Sequence, residues 1–305
     1  RTLVGSYSDI VQRMVQNDLG SKKKLYSERS ADKKKIISPN VTPFDVIGIS
    51  TKNAVSEKFN QSTYFFWEST SGFNFRSLGD MYSQTPRMKY EHTVAGTRTE
   101  NGVKDIMSEL GAIEDYTITS SPDTVFNYAA GIFSSELLVH DVMSKSYQKY
   151  IYNYSDRFSE EQHLGPKPLA VNDPDGVNVS SFPSKQYLKS AVGMGTLDES
   201  YEDGCNGYSY SSNNLNLLQS RNSQLAMLES GLQMSINVVG TTVVKAGDIV
   251  EIIIPSVSVY KTTKNEKEDM LYNGNFLIRS LRHDFSIGDE KHTMSMNVTK
   301  DAMGK

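Results

Sequence analysis

The sequence is poor in several features that would point to chemistry. It contains one cysteine, Cys205, among 305 residues, which excludes a disulfide within the chain and a zinc site built on cysteines. No apolar run approaches the roughly 20 residues that a membrane-spanning helix needs, so we expect no stable membrane insertion. An excess of basic residues is also lacking. The formal net charge is −4, whereas a dedicated nucleic-acid-binding domain is usually clearly basic.

Motifs for catalysis and for cofactors are missing as well. No glycine-rich phosphate loop follows a predicted strand, and no serine stands in a nucleophile elbow. The five histidines include no pair at the i,i+4 spacing that places two imidazoles on one helical face. We therefore predict no catalytic residue, no cofactor and no metal ligand in this chain, and we expect it not to be an enzyme.

Three local patterns keep a chemical interpretation open beside a simpler one. Asn172–Gly176 has acidic residues at alternate positions, as a calcium loop does, but its twelfth position is Pro183 rather than glutamate, which is more typical of a plain turn. The adjacent pair Glu160-Glu161 would point its carboxylates apart. His283 and His292 face each other across one predicted hairpin, so a two-histidine site is an alternative to one hydrogen-bonded and one surface histidine.

The last third of the sequence, from Leu232 to Asp301, is the most informative. Apolar and polar residues alternate there in a way that predicts strands with one buried face, since strand side chains point alternately to opposite faces. In the first of these strands Ile236 faces the core and Asn237 faces outward. Leucines at helical spacing predict a helix just before it, ending at Gly231. The predicted strands lie at 232–239, 249–254, 276–283 and 292–298, joined by short turns that favour antiparallel pairing.

These segments carry a resemblance to a known family. The residues Arg221–Leu228, Gly240–Pro255, Tyr272–Ile278 and Arg282–Asp284 resemble the distal half of the baseplate hub protein of contractile-tailed bacteriophages. That family is related to the spike-hub protein of type VI secretion systems. A further stretch, Tyr64–Leu78, resembles the helix-plus-hairpin insertion of the same hub proteins. The resemblance implies an α+β chain with an antiparallel, tail-tube-like β-barrel and a packed helix.

The same resemblance implies a function. Hub subunits are structural virion proteins of the tail baseplate, assembled in the host cytoplasm. They form a homotrimer in which two tube-like domains per chain imitate a sixfold tube. The ring joins the tail tube to the central spike and leaves a channel for DNA in transit. The implied partners are the spike, the tail tube protein and other baseplate proteins. The alternative from another class is a tail-associated carbohydrate-active enzyme or a carbohydrate-binding adhesin, suggested by the many tyrosines and acidic residues.

The domain organisation follows from the same patterns. Residues 1–92 predict a helix-and-hairpin α+β domain. Residues 93–122 predict a helical connector, because Ile106, Leu110 and Ile113 have helical spacing. Residues 123–305 predict the barrel domain. Its expected parts are strands at about 131–154 and 232–299, a helix at about 216–230 and a polar insertion at about 155–214.

Positive charge is gathered near the start of the sequence, in the runs Lys22–Lys24 and Lys33–Lys35. Such short runs are typical of a solvated face, and the alternative is contact with nucleic acid or with an acidic neighbouring subunit. A channel that lets DNA pass must not hold it. We therefore expect a neutral or acidic channel lined by polar strand positions, with the lysine runs on the outer flank.

Overall fold

The structure is a computed structural model. It describes residues 2–31, 33–38, 40–92, 99–100, 103–104, 110–142, 145–169, 181–191, 217–254, 271–288 and 290–304. The helices are α1 (Tyr7–Arg13, continued by a π-helical turn at Met14–Asp18), α2 (Pro43–Asn53), α3 (Leu78–Tyr82), α4 (Thr124–Ala129), α5 (Tyr154–Arg157) and α6 (Leu218–Ser230).

The strands are short in the first third of the chain and longer towards the end. They are β1 (Thr2–Gly5), β2 (Leu25–Ser27), β3 (Lys34–Ile37), β4 (Tyr64–Ser69), β5 (Gly72–Ser77), β6 (Met88–His92), β7 (Thr99–Glu100), β8 (Val103–Lys104), β9 (Ala112–Ser120), β10 (Ser134–Asp141), β11 (Ser146–Asn153), β12 (Lys167–Pro168), β13 (Lys185–Ala191), β14 (Leu232–Val239), β15 (Ile249–Ile253), β16 (Gly274–Ser286), β17 (Lys291–Lys300) and β18 (Ala302–Met303).

The chain divides into two compact units, each assembled from three separate segments. Unit 1 contains Arg1–Asp80, Val125–Glu161 and Val171–Ala226, and unit 2 contains Met81–Thr124, Gln162–Ala170 and Met227–Lys305. In the part of the chain that is described, no helix is both long and apolar enough to cross a membrane.

Unit 2 is built around a closed barrel of six strands in the order β14-β17-β16-β15-β6-β9, and β9 pairs back to β14. Four of the six pairs are antiparallel: β14 with β17, β17 with β16, β16 with β15, and β9 with β14. Strand β6 runs parallel to both of its neighbours, β15 and β9. The structure therefore confirms the predicted α+β class with a β-barrel, and it adds a parallel strand to the expected antiparallel pattern.

The interior of the barrel is filled by apolar side chains that occupy every second position along its strands. In β14 the residues at every second position are fully buried, including Ile236, whereas Asn237 is exposed, as predicted. Strand β17 contributes Met294, Met296 and Val298 to the same apolar core in the same way. Phe276 and Tyr90 complete it from β16 and β6. Burial of these apolar side chains makes the main favourable contribution to the free energy of folding of such a barrel.

The prediction that the strands at about 131–154 join the barrel is wrong. Strands β10 and β11 form the expected hairpin, but it lies in unit 1, in a three-stranded sheet with the order β11-β10-β13. The third strand, β13, comes from the predicted polar insertion and pairs parallel to β10. The neighbour of β10 on this side is thus Lys185–Ala191 and not a strand of the C-terminal third. Residues 170–180 and 192–214 of the insertion lie outside the described residues.

The predicted helical connector at 93–122 is wrong over its second half. Ala112–Ser120 is a nine-residue strand that closes the barrel between β6 and β14. The run Thr117-Ile118-Thr119 is β-branched, and such side chains suit a pleated surface better than a helix. Helical spacing of Ile106, Leu110 and Ile113 was a misleading signal, because Ile113 belongs to the barrel core as a residue of strand β9. Residues 105–109 lie outside the described part.

The start of unit 1 follows the sequence closely. Helices α1 and α2 each begin with a reciprocal capping box, formed by Ser6 with Asp9 and by Thr42 with Asp45. Pro43 stands in the first turn of α2, where its missing N–H costs no helical hydrogen bond, and the helix ends at Asn53. The two helices pack with the β4-β5 hairpin, also predicted, around a common apolar core. That core includes Ile10, Val11, Ile47, Tyr64 and Phe75.

The register of β14 generates a matched pair of variants. Ile236 is fully buried, so Ile236→Asp places an unpaired charge in the apolar core, which costs several kcal/mol and should prevent folding. Asn237→Asp keeps the oxygen that accepts a hydrogen bond from Ser295 Oγ at 2.8 Å, and we expect its stability to change by about 1 kcal/mol or less. Urea unfolding followed by circular dichroism measures both. Equal loss in the two variants would contradict the register.

Candidate interaction surfaces

Two of the three local patterns with a chemical interpretation can be located. The described residues contain no cluster of three or more histidine, cysteine or acidic side chains that could hold a metal ion. Glu161 accepts hydrogen bonds from Ser220 Oγ at 2.5 Å and from Gln224 Nε2 at 2.8 Å, which ties its carboxylate to α6. Glu160 pairs with Arg157 instead. The two carboxylates therefore have separate structural partners. The calcium-like pattern at 172–176 lies outside the described residues.

The structure brings His283 and His292 together, as the hairpin predicted. His283 on β16 lies diagonally across from His292 on β17, and His283 Nδ1 is 3.1 Å from His292 Nε2. Both rings are half-buried. The ring of His292 also stacks on Phe285, with centroids 4.1 Å apart and an angle of 14° between the ring planes. This is a defined pair of imidazoles at one end of the β16-β17 hairpin.

A buried polar cluster at the end of the chain was not predicted. Lys300 is fully buried, and its Nζ donates to the backbone carbonyl oxygens of Asn273 and, at 2.9 Å, Gly304. Along β17 every second residue points into the barrel, and Lys300 follows Met294, Met296 and Val298 in this series. The same alternation could therefore have predicted that Lys300 is buried. Gly274 is required beside it: with φ of +117° and only 2.9 Å from an added Cβ to Lys300 Nζ, a side chain does not fit.

The neighbouring residue Asp301 fixes a distant segment to this cluster. One of its carboxylate oxygens lies 2.7 Å from His163 Nδ1, and the other accepts a hydrogen bond from the backbone N–H of Leu164 at 3.1 Å. Strands β12 and β18 extend the contact by antiparallel pairing. The chain around residue 163 is thereby held on the C-terminal end of the barrel within unit 2.

The outer face of the barrel carries a surface that we call the polar face. Strand register places small polar side chains side by side across four neighbouring strands, β16, β17, β14 and β9. Two hydrogen bonds link neighbours directly: Ser295 Oγ to Asn237 Oδ1, and Asn297 Nδ2 to Ser280 Oγ at 3.1 Å. The polar face consists of the row Ser280, Asn297, Ser235 and Thr117 and the row Arg282, Ser295, Asn237 and Asp115.

Charges on and beside the polar face are balanced. Within the two rows Arg282 is the one basic and Asp115 the one acidic side chain, and Arg282 pairs with Asp284 at 2.7 Å. Lys291 lies 3.4 Å from Glu114 near the end of the hairpin. Arg279, in the bulge of β16, is exposed. The face therefore lacks the concentrated positive charge that gives strong, salt-dependent affinity for phosphate groups.

The lysine runs lie in unit 1 and their described side chains are exposed. Lys23 pairs with Glu68, and Lys24 Nζ lies 4.5 Å from the centre of the Tyr26 ring. These contacts are typical of a solvated surface, since exposed ion pairs contribute little to stability.

The three-stranded sheet of unit 1 has one buried and one exposed face. Leu137 and Val139 are buried on one side, where Leu218 of α6 packs against them. The opposite side exposes Ile151 and Leu188, which are 61% and 78% exposed. A Lys149–Glu136 ion pair of 2.8 Å crosses this side and lowers the pKa of Glu136 through its hydrogen bond. The result is a mixed apolar and charged surface on strands β10, β11 and β13.

Comparison with known proteins identifies the fold. No protein-family model and no curated protein matches the sequence. Among solved structures, the chain is similar to the crystal structure of the tail protein from Neisseria meningitidis MC58. The TM-score is 0.52 at 16% sequence identity, and the match covers 98% of this chain and 69% of the other. The chain therefore has a tail-protein fold, which agrees with the coarser part of the resemblance found in the sequence.

Burial of Lys300 generates a pH-dependent prediction. Desolvation lowers the pKa of Lys300 to about 8, below its usual value of 10.5, so above pH 8 the unfolded chain binds more protons than the folded chain. The free energy of unfolding should therefore rise with pH, by about 2 kcal/mol between pH 7.5 and 9.5. Urea unfolding at intermediate pH values measures this rise. Lys300→Met should lack it, and equal pH slopes in both proteins would contradict the assignment.

Proposed function

We propose that the chain is a structural subunit of a contractile tail, in which it forms a ring at the tip of the tail tube. The observation that carries the proposal is the closed six-stranded barrel in a fold similar to that of a tail protein. In this role the protein acts mechanically and catalyses no reaction. It joins the tube to a central spike and belongs to the baseplate hub of a virion.

The polar face gives the ring a surface suited to the lumen. A channel for DNA needs side chains that hydrogen-bond water without holding phosphates. Serine, threonine and asparagine side chains across four strands meet this requirement, because they are hydrated and uncharged. We propose that the polar face lines the channel and that the lysine runs lie on the outer flank, facing an acidic neighbour.

Surfaces for assembly are available in unit 1. Among the described strands, β11 and β13 are the outer members of their sheet. The outer strand of a sheet presents backbone N–H and C=O groups that can pair with another chain. Exposed Ile151 and Leu188 add apolar area beside those edges. Contacts between copies of the chain, with the tail tube protein and with other baseplate proteins would bury such edges and apolar side chains, as stable interfaces generally do.

The first test of the proposal is the mass of the assembly. We expect the protein at tens of micromolar, alone or mixed with its spike partner, to form a homotrimer with three times the 34.1 kDa mass of the chain. Size exclusion with light scattering measures the mass, and negative-stain images should show a ring with a central hole. A monodisperse monomer that spike protein leaves unchanged would contradict the hub proposal.

The second test concerns DNA. We expect no retention of duplex DNA by the wild-type protein at about 150 mM salt, because the polar face offers few cations to phosphates. The double variant Asn237→Lys/Asn297→Lys adds two cations to this face. Its affinity for DNA should rise, and the slope of log affinity against log salt should steepen by about 0.9 per new contact. Fluorescence anisotropy measures both quantities.

Replacement of the lysine run provides the control for the DNA test. Lys22→Gln, Lys23→Gln and Lys24→Gln together should leave the lack of DNA retention unchanged. Tight binding by the wild-type protein that this triple variant weakens would indicate a surface that grips DNA, and it would overturn the proposed neutral channel.

A further inference from the structure

We propose that His283 and His292 together bind one divalent transition-metal ion per chain at the end of the β16-β17 hairpin. The site lies wholly within unit 2. It does not depend on assembly or on the proposed tail function.

The distance between the two nitrogen atoms fits an ion. Zinc binds imidazole nitrogen at about 2.0–2.1 Å, so two such nitrogens on a tetrahedral ion lie about 3.3 Å apart, and on a square-planar ion about 2.9 Å. His283 Nδ1 and His292 Nε2 are 3.1 Å apart, between these two values. The ring centroids lie 5.2 Å apart, which also allows both nitrogens to point at a common position beside them. An adjustment of about 0.2 Å would therefore complete the two-nitrogen site.

The surroundings fix the ring of His292 before any ion arrives. Gly240 lies against this ring, and a Cβ added to Gly240 would come within 2.2 Å of His292 Cγ. The Gly240 backbone N–H donates to the His292 carbonyl oxygen at 2.9 Å, and Phe285 stacks on the ring. His283 is positioned by the paired strands, in register with Met294. Little conformational entropy remains to be lost when the ion binds.

The same pair is held by a hydrogen bond when no ion is present. One imidazole N–H donates to the other ring nitrogen, so each neutral ring carries one proton. Binding through the two facing nitrogens requires the donating ring to move its proton to its other nitrogen. No proton leaves the neutral pair, and the ion takes the place of the shared hydrogen. Because both rings are half-buried, water can reach the remaining coordination positions.

The chemistry of the site selects the ion. Imidazole nitrogen suits Zn²⁺, Ni²⁺ and Cu²⁺, whereas Mg²⁺ and Ca²⁺ prefer oxygen ligands. The basic residues next to the two histidines in sequence, Arg282 and Lys291, are paired with Asp284 and Glu114. Their charges therefore oppose an incoming cation less than free lysine and arginine would.

Isothermal titration of the purified protein with Zn²⁺ and Ni²⁺ tests the proposal. We expect one ion per chain, an affinity at least tenfold lower in His283→Ala and in His292→Ala, and no binding of Mg²⁺. His140→Ala is the matched control, since His140 is an exposed histidine in unit 1 and its loss should leave the affinity unchanged. Equal affinity in the wild-type protein and in both site variants would overturn the proposal.

A measurement on the wild-type protein covers the case in which a variant does not fold. Nuclear magnetic resonance spectra of the histidine rings, recorded during a Zn²⁺ titration, should show the imidazole signals of His283 and His292 shifting together and saturating at one equivalent. The signals of His140 should remain in place. Shifts confined to other histidines, or no shift at all, would contradict the site.

Discussion

Closure of the barrel by backbone hydrogen bonds is the constraint on which the rest of unit 2 depends. Strands β14 to β17 alone would leave β14 and β15 as open edges with rows of unpaired N–H and C=O groups. Strands β6 and β9 fill the gap, with β6 bonded to β15 and β9 bonded to β14. Every strand of the barrel then has two partners, and the apolar side chains inside the barrel are shielded from water on all sides.

The strand register of the closed barrel also positions the two features with a proposed role, the polar face and the His283–His292 pair. Residues of opposite parity to the core must point outward on each strand, so the polar face follows from the same alternation that buries Ile236 and Met296. The histidine pair extends the inward parity of β16 and β17 beyond the apolar core, where the hairpin continues past the barrel residues. Core, polar face and histidine pair are thus consequences of one strand pairing.

The sequence predicted the parts of the fold whose information is local. Alternation in Leu232–Val239 specified both the strand and its buried face. The histidine pair was predictable for the same reason, because a short hairpin joins its two strands. Lys300 was missed although it has inward parity, since lysine is almost never fully buried and the expectation followed residue type over position.

Pairing between distant segments was not predictable from the sequence. Strand β6 has five residues and a single fully buried side chain, Tyr90, which is too little for a periodic signal. The position of Ile113 fits the residue spacing of a helix as well as that of a strand, so it could not distinguish the two. The hairpin of β10 and β11 was recognised correctly, but its neighbour β13 lies in a stretch of polar composition that gave no sign of a strand. A local sequence pattern can predict that a segment is a strand, whereas the strands with which it pairs depend on the whole chain.

The separation of the barrel strands along the chain sets the order of events during synthesis. Ser120 of β9 pairs with Gln233 of β14, more than a hundred residues later. At about 5–20 residues per second, a ribosome needs on the order of ten seconds to deliver the second partner after the first. During that interval β6 and β9 have none of their barrel neighbours from the C-terminal third. A chain that ends before β14 cannot close the barrel, so the polar face forms only after the residues of β14, β16 and β17 have been synthesised.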